Sequence, residues 1–226
     1  MEEKSQKYIP ALRYDWLTAV YDPILRLTLR EFEFKNTLVK AAQVQLGHRV
    51  LDLGCGTATL TLLIKQAQPN AEVVGIDGDE KVLTLARQKA SQSGMVVALD
   101  HGMVYNLPYP DNSFDHVFSS LLFHHLSREN KLRAIGEVFR VLRPGGQLHV
   151  ADWGKVENPL MRALFLLVQL LDGFSTTADN VNGLLPSFFS QVGFEGVVLV
   201  RQYVTVFGTL CLYNGQRPVQ GLASQR

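Results

Sequence analysis

VLDLGCGTA, residues 50–58, is a short apolar run that breaks into glycines and passes into Ala, Thr and Leu. That order is expected of a buried strand, a tight turn and the start of a helix. A second apolar run, VVGID at residues 73–77, stops on a carboxylate. In an open parallel sheet the carboxyl ends of adjacent strands face one crevice, so the Gly54–Gly56 turn and Asp77 are expected side by side at a ligand-binding edge. Without Cβ atoms at Gly54 and Gly56 the backbone can turn sharply and lie directly against a ligand. Asp77, an acceptor only when ionised, can take two hydrogen bonds from the vicinal hydroxyls of a ribose. A dinucleotide loop of the G-x-G-x-x-G type does not match, because its last glycine would fall at Thr59.

Composition points to one α/β domain spanning residues 1–226. At 46% hydrophobic and 19% charged residues, the chain can bury a large core but is short for two domains. The formal net charge is +1 with no lysine or arginine run, which removes the electrostatic basis for a nucleic-acid partner. Cys55 and Cys211 lack metal-ligand spacing and read as reduced cytoplasmic thiols; no metal site is expected. The N-terminus is charged and polar, unlike a signal peptide.

Periodicity gives the order of elements. Residues 14–45 carry apolar side chains at helical spacing, including Phe34, Leu38, Val39 and Ala42, and are interrupted by Pro23; they are predicted to form two helices within a cap over residues 1–46. Strands are expected at 49–53, 72–76, 96–99, 114–119 and 147–151. Helices are expected at about 59–68, ended by Pro69-Asn70, at 79–91, stopped near Gly94, and at 128–142, closed by Pro144-Gly145-Gly146. Such alternation implies a parallel sheet with helices on both faces. Two last strand candidates lie at 197–200 and 209–213.

Asp52, Gly54, Gly56 and Asp77 together resemble the signature of class I S-adenosylmethionine-dependent methyltransferases. LPYPDNSFDHV (107–117), FHHL (123–126) and EVFRVLRPGGQL (137–148) are similar, in order and spacing, to the subgroup that contains the ubiquinone and menaquinone biosynthesis C-methyltransferases. The resemblance implies a Rossmann-like, mostly parallel seven-stranded sheet with an antiparallel edge hairpin formed by the last two strands. It implies S-adenosyl-L-methionine as cofactor, held by Asp52, Gly54, Cys55, Gly56, Asp77, Gly78, Met103, Val104 and Ser119. Two departures stand out: Ala58 replaces the usual third glycine, and Met103 stands where relatives place an Asp that accepts from the adenine amine. A thioether is a weak acceptor. Adenine would then rest on apolar packing and the Val104 amide, or Asp100 or another acceptor would compensate.

Methyl transfer from a sulfonium needs alignment and at most one proton removal, so a missing catalytic motif does not argue against an enzyme. The candidates for proton removal are His124 and His125 after the fourth strand and Asp152 after the fifth. PLMRALFLLVQLLDGF (159–174) is apolar nearly all round yet too short, with Arg162 inside, to span a membrane. It belongs to a lid-like helical insertion over residues 155–190, which either covers a greasy acceptor or buries against the protein or a second subunit. Tyr14, Trp16, Tyr21, His124 and Trp153 are the expected substrate contacts. The reading is a methyltransferase acting on a small, lipophilic acceptor such as a quinone, phenol or lipid headgroup. It would be a cytoplasmic monomer or homodimer, with room for peripheral membrane contact. The alternatives are a nucleic-acid or protein methyltransferase, and a non-catalytic S-adenosylmethionine-binding module.

Overall fold

The computed structural model describes residues 31–155, 159–205 and 208–219. Tyr14, Trp16, Tyr21 and the first of the predicted cap helices lie outside the described residues. The elements run α1 (Glu31–Ala42), β1 (Arg49–Leu53), α2 (Thr59–Ala67), β2 (Glu72–Asp77), α3 (Glu80–Ser93), β3 (Ala98–His101) and β4 (Phe114–Ser120). A 3-10 turn (Phe123–His125) follows, then α4 (Arg128–Val141), β5 (Leu142–Trp153), α5 (Pro159–Asp172), α6 (Phe174–Val181), α7 (Leu185–Val192), β6 (Glu195–Val204) and β7 (Thr209–Gln216). They build one seven-stranded sheet in the order β3-β2-β1-β4-β5-β7-β6. The first five strands are parallel, and β7 runs antiparallel to both β5 and β6.

Strand alternation sorts the core into two layers. Leu51, Leu53, Val117, Leu148 and Val150 face one side, against Ile135 and Val138 of α4 and Leu185, Phe188 and Phe189 of α7. Val50, Phe118, Ala151 and Trp153 face the other, against α1, α2 and Phe165 and Val168 of α5.

Three boundaries differ from the sequence expectation. Asp79 caps α3 rather than joining it, its carboxylate accepting from the amides of Lys81 at 2.9 Å and Val82 at 3.4 Å. Gly94 ends that helix in a left-handed turn, which leaves Val96 84% exposed and delays β3 by two residues, to Ala98. β5 begins at Leu142, bulges over Arg143–Gly146 and rejoins β4 at Gln147, so Pro144-Gly145-Gly146 is a bulge within the strand range. Within residues 155–190, α7 packs against α4 as part of the helical layer, and α5 packs Phe165 and Val168 against the opposite face of the sheet.

Across the sheet, away from the glycine turn, a row of histidines is linked ring to ring. His48 Nδ1 lies 3.0 Å from His116 Nε2, His116 Nδ1 3.1 Å from His149 Nε2, and His149 Nδ1 3.0 Å from Asn214 Oδ1. Phe118 stacks on His149 with ring centroids 4.7 Å apart. A neutral imidazole offers one donor and one acceptor, so the row holds only while both central rings are uncharged. Burial, then the neighbouring His48, pushes His116 down to about 4; burial, then His116, pushes His149 down to about 3.

A base with a depressed pKa in the folded state takes up its proton more readily when unfolded, so acid favours unfolding once pH falls below about 6.5. Urea denaturation of the wild type is expected to lose on the order of 1–2 kcal/mol more between pH 7 and pH 5 than His149→Gln does. Parallel pH profiles for the two proteins would contradict this account of the row.

Candidate active site

The sheet order reverses direction between β1 and β4, which places the crevice of an open α/β sheet at the carboxyl ends of these strands. The turn after β1 is tied to the end of β2. The amides of Gly54 and Cys55 donate to Ile76 O at 2.9 and 3.0 Å, and Gly56 N donates to Asp77 Oδ2 at 2.8 Å. Asp77 Oδ1 accepts from the amide of Asp79 at 3.0 Å. Gly54, Gly56 and Ala58 all have positive φ, at 69°, 54° and 61°. A Cβ at Gly54 would sit 2.7 Å from the Leu122 side chain, whereas one at Gly56 would meet nothing within 4 Å. The turn is therefore packed by the protein at Gly54 and open at Gly56. Ala58 is expected to tolerate its methyl group, and it does so in a left-handed conformation that costs an L-residue about 1–2 kcal/mol, offset by a methyl fully buried against Leu62, Ala86 and Ala90.

The expected cofactor residues separate into those that face the crevice and those that support it. Asp77 uses one acceptor position on each oxygen for the backbone and keeps further lone pairs for a diol. Ser119 lies near the end of β4 beside Leu53, and its hydroxyl is buried with no hydrogen-bond partner. Asp52 instead turns inward: it is buried, accepts from the Thr61 hydroxyl at 2.7 Å, and burial raises its pKa to about 6. It supports the start of α2 from beneath the turn. Cys55 is a buried free thiol, pushed upward chiefly by desolvation and then by Asp52 and Asp77. The Gly78 carbonyl lies 3.1 Å from His101 Nε2 and accepts from it when that nitrogen carries the proton. Met103 is half-buried and Val104 buried, in a turn that follows β3 and is closed by Asn106 N donating to Met103 O at 3.0 Å. Asp100 is held by the Tyr109 hydroxyl at 2.8 Å.

A second cluster lies at the ends of β4 and β5. Asp152 was expected after the fifth strand; it lies within β5, fully buried. Its Oδ2 accepts from Phe123 N at 2.7 Å, and its Oδ1 accepts from Trp153 N at 2.7 Å, Asn180 Nδ2 at 3.1 Å and His124 Nδ1 at 2.7 Å. Four donors occupy this carboxylate, which makes it the anchor of the cluster. His124 consequently carries a proton on Nδ1. His125 lies beside it, the rings tilted by 42° with centroids 4.0 Å apart, and burial, then the His124 charge, holds its pKa well below the ordinary imidazole range. Trp153 is buried, its ring edge-on to Phe165 at 5.4 Å and to His124 at 6.4 Å.

Sequence reading missed the polar half of this cluster. Lys131 is fully buried in α4, donates to Thr176 O and lies 3.4 Å from Asp179 Oδ2. Burial lowers the Lys131 pKa against the pull of Asp179 and Asp152. Burial alone would raise Asp179, but the Arg128 hydrogen bonds and the Lys131 charge hold it below the usual carboxylate value. The available signal was STTADN, residues 175–180, a polar run directly after an apolar helix. Among the described residues no group of His, Cys, Asp and Glu is arranged to hold a metal ion.

The comparisons with known proteins agree with this geometry. Residues 50–146 match a methyltransferase domain family. A demethylmenaquinone methyltransferase of Thermus thermophilus is 36% identical over 218 residues, covering 88% of this chain and 96% of the relative. The chain belongs to the S-adenosylmethionine-dependent methyltransferases. Its fold also matches the crystal structure of a SAM-dependent methyltransferase from Methanosarcina mazei, at TM-score 0.63 and 20% identity over 78% of this chain and 95% of that one. The [4+2]-cyclase SpnF matches equally well, at TM-score 0.63 and 19% identity over 83% of this chain and 80% of its own. The cofactor of this methyltransferase is S-adenosylmethionine, and the residues at the crevice fit it: an open glycine backbone, a carboxylate with spare lone pairs and an unpartnered serine hydroxyl. Asp77→Ala is expected to weaken S-adenosylmethionine and its demethylated product at least tenfold each by calorimetry, as lost hydrogen bonds to a charged acceptor imply. Unchanged affinity in a folded variant would remove Asp77 from the ribose site.

Proposed function

We propose that this methyltransferase acts on a small, lipophilic hydroxyaromatic acceptor of the quinone-precursor type. The observation that carries the proposal is the demethylmenaquinone methyltransferase similarity at 36% identity across nearly the whole of both chains. The chemistry of the β4–β5 end is in keeping with it. Trp153, Phe165 and Val168 form an apolar wall, with His124 and Asp152 beside it. Bound S-adenosylmethionine supplies an electrophilic methyl group on sulfur. The acceptor must supply an electron pair, which for a quinone skeleton means its reduced, hydroxyl-bearing form. In this reading Asp152 holds His124 in one tautomer, His124 Nε2 takes the proton from the acceptor, and the Asp77–Gly56 edge fixes the direction of approach.

The surface beside the cluster supports handling of a greasy substrate. α5 turns Phe165 and Val168 inward and leaves Leu166 and Leu170 exposed, with Phe174 following on α6. That apolar strip suits contact with a membrane surface or an isoprenoid tail. Among the described residues no helix is long and apolar enough to cross a membrane. We place the enzyme in the cytoplasm, in keeping with its two buried free cysteines. One domain over residues 1–226 remains our reading of the chain.

Incubation with methyl-labelled S-adenosylmethionine and a panel of reduced naphthoquinones, phenols, lipids, proteins and nucleic acids is expected to label the hydroxyaromatic compounds. Labelling confined to hydrophilic macromolecules would overturn the proposal. With an accepted compound, His124→Ala is expected to lower kcat by about 100-fold while leaving S-adenosylmethionine affinity within twofold. An unchanged kcat would remove His124 from proton transfer.

A further inference from the structure

A buried amide beside Asp152 has an orientation that chemistry determines. Asn180 donates through Nδ2 to Asp152 Oδ1 at 3.1 Å and to Trp153 O at 3.3 Å. Both partners only accept, so Nδ2 must face them and Oδ1 must point the other way. That oxygen is buried and accepts no hydrogen bond. Gln169 of α5 has a hydroxyl as its neighbour. Its Nε2 donates to Thr177 Oγ1 at 2.9 Å, and the Thr177 hydroxyl passes its own proton to Gly173 O at 2.7 Å. Gln169 Oε1 is likewise buried without a partner. Thr177 and Asn180 are three residues apart on one face of α6.

The described donors around Asp152 are committed: Phe123 N, Trp153 N, His124 Nδ1 and Asn180 Nδ2 to Asp152, and Lys131 Nζ to Thr176 O and Asp179. What Asn180 and Gln169 keep open is an acceptor each. Buried carbonyl oxygens are seldom left unmet, and Asn180 shares Asp152 Oδ1 with His124 Nδ1. We infer that Asn180 is a specificity residue for the methyl acceptor: its Oδ1 takes a hydrogen bond from a hydroxyl on an aromatic acceptor. The inference rests on the function proposed above and deepens it. A ring bearing a free hydroxyl is bound in preference to the same ring with that hydroxyl blocked, and Gln169 Oε1 offers a second acceptor of the same kind.

The test uses the protein saturated with S-adenosylhomocysteine and titrated with 1-naphthol and with 1-methoxynaphthalene, which differ only in the blocked hydroxyl. The wild type is expected to bind 1-naphthol about tenfold more tightly than the ether, the usual scale of one buried hydrogen bond. Asn180→Ala is expected to bind both alike, at the ether's affinity, with S-adenosylhomocysteine affinity within twofold of wild type. Equal binding of the probes by the wild type overturns the inference, meaning that water alone meets the oxygen. So does a preference that survives in the variant, or a loss of S-adenosylhomocysteine affinity. Binding of neither probe overturns the hydroxyaromatic reading itself, and this inference with it. Should Asn180→Ala fail to melt cooperatively, a crystal structure of the wild-type ternary complex decides: the naphthol oxygen lies within about 3 Å of Asn180 Oδ1 or the inference is wrong.

Discussion

A carboxylate at the end of a central strand has to be satisfied from within the protein, and at Asp152 that requirement organises the catalytic end of the fold. Its four hydrogen bonds come from the 3-10 turn after β4, from β5 itself and from α6. An uncompensated buried charge costs several kcal/mol, so these segments are held together by a penalty as much as by attraction. The consequence reaches the cofactor side. Phe123, held by Asp152, follows Leu122, whose side chain packs directly over Gly54. The glycine turn and the His124 imidazole are thus spaced by the same short stretch.

The cofactor edge was legible because its signals are local. The apolar run, the Gly54–Gly56 turn and the carboxylate closing β2 fall within 28 consecutive residues (50–77), and the parallel register of β1 with β2 brings them together without help from distant chain. The edge hairpin and most of the helices were legible for the same reason. Boundaries moved where a single residue overrode the pattern: Gly94 in its left-handed turn at the start of the β3 approach, and the bulge over Arg143–Gly146 in β5.

The acceptor end was only half legible. His124 and Asp152 were picked out singly, by position after a strand, but nothing in the spacing of 28 residues between them indicates a 2.7 Å hydrogen bond. Lys131, Asp179 and Asn180 were invisible because a polar side chain on an amphipathic helix normally faces water. Only the packing of α6 against the 3-10 turn, Asp152 and α4 turns them inward. At Asp52, strand alternation turns the carboxylate to the α2 side of the sheet, where it accepts from the Thr61 hydroxyl.

This division has an evolutionary consequence in physical terms. The turn after β1 and its tie to Asp77 are made by contiguous sequence and depend on backbone geometry. The acceptor region is assembled from three separated segments, residues 123–125, 152–153 and 174–181, and only the last belongs to the insertion. Substituting α6 residues that do not hold Asp152 changes what the region presents to an acceptor while leaving the glycine turn intact. A fold shared with a [4+2]-cyclase is the expected outcome of that arrangement, since the sheet and its cofactor edge place few demands on the chemistry performed beside them.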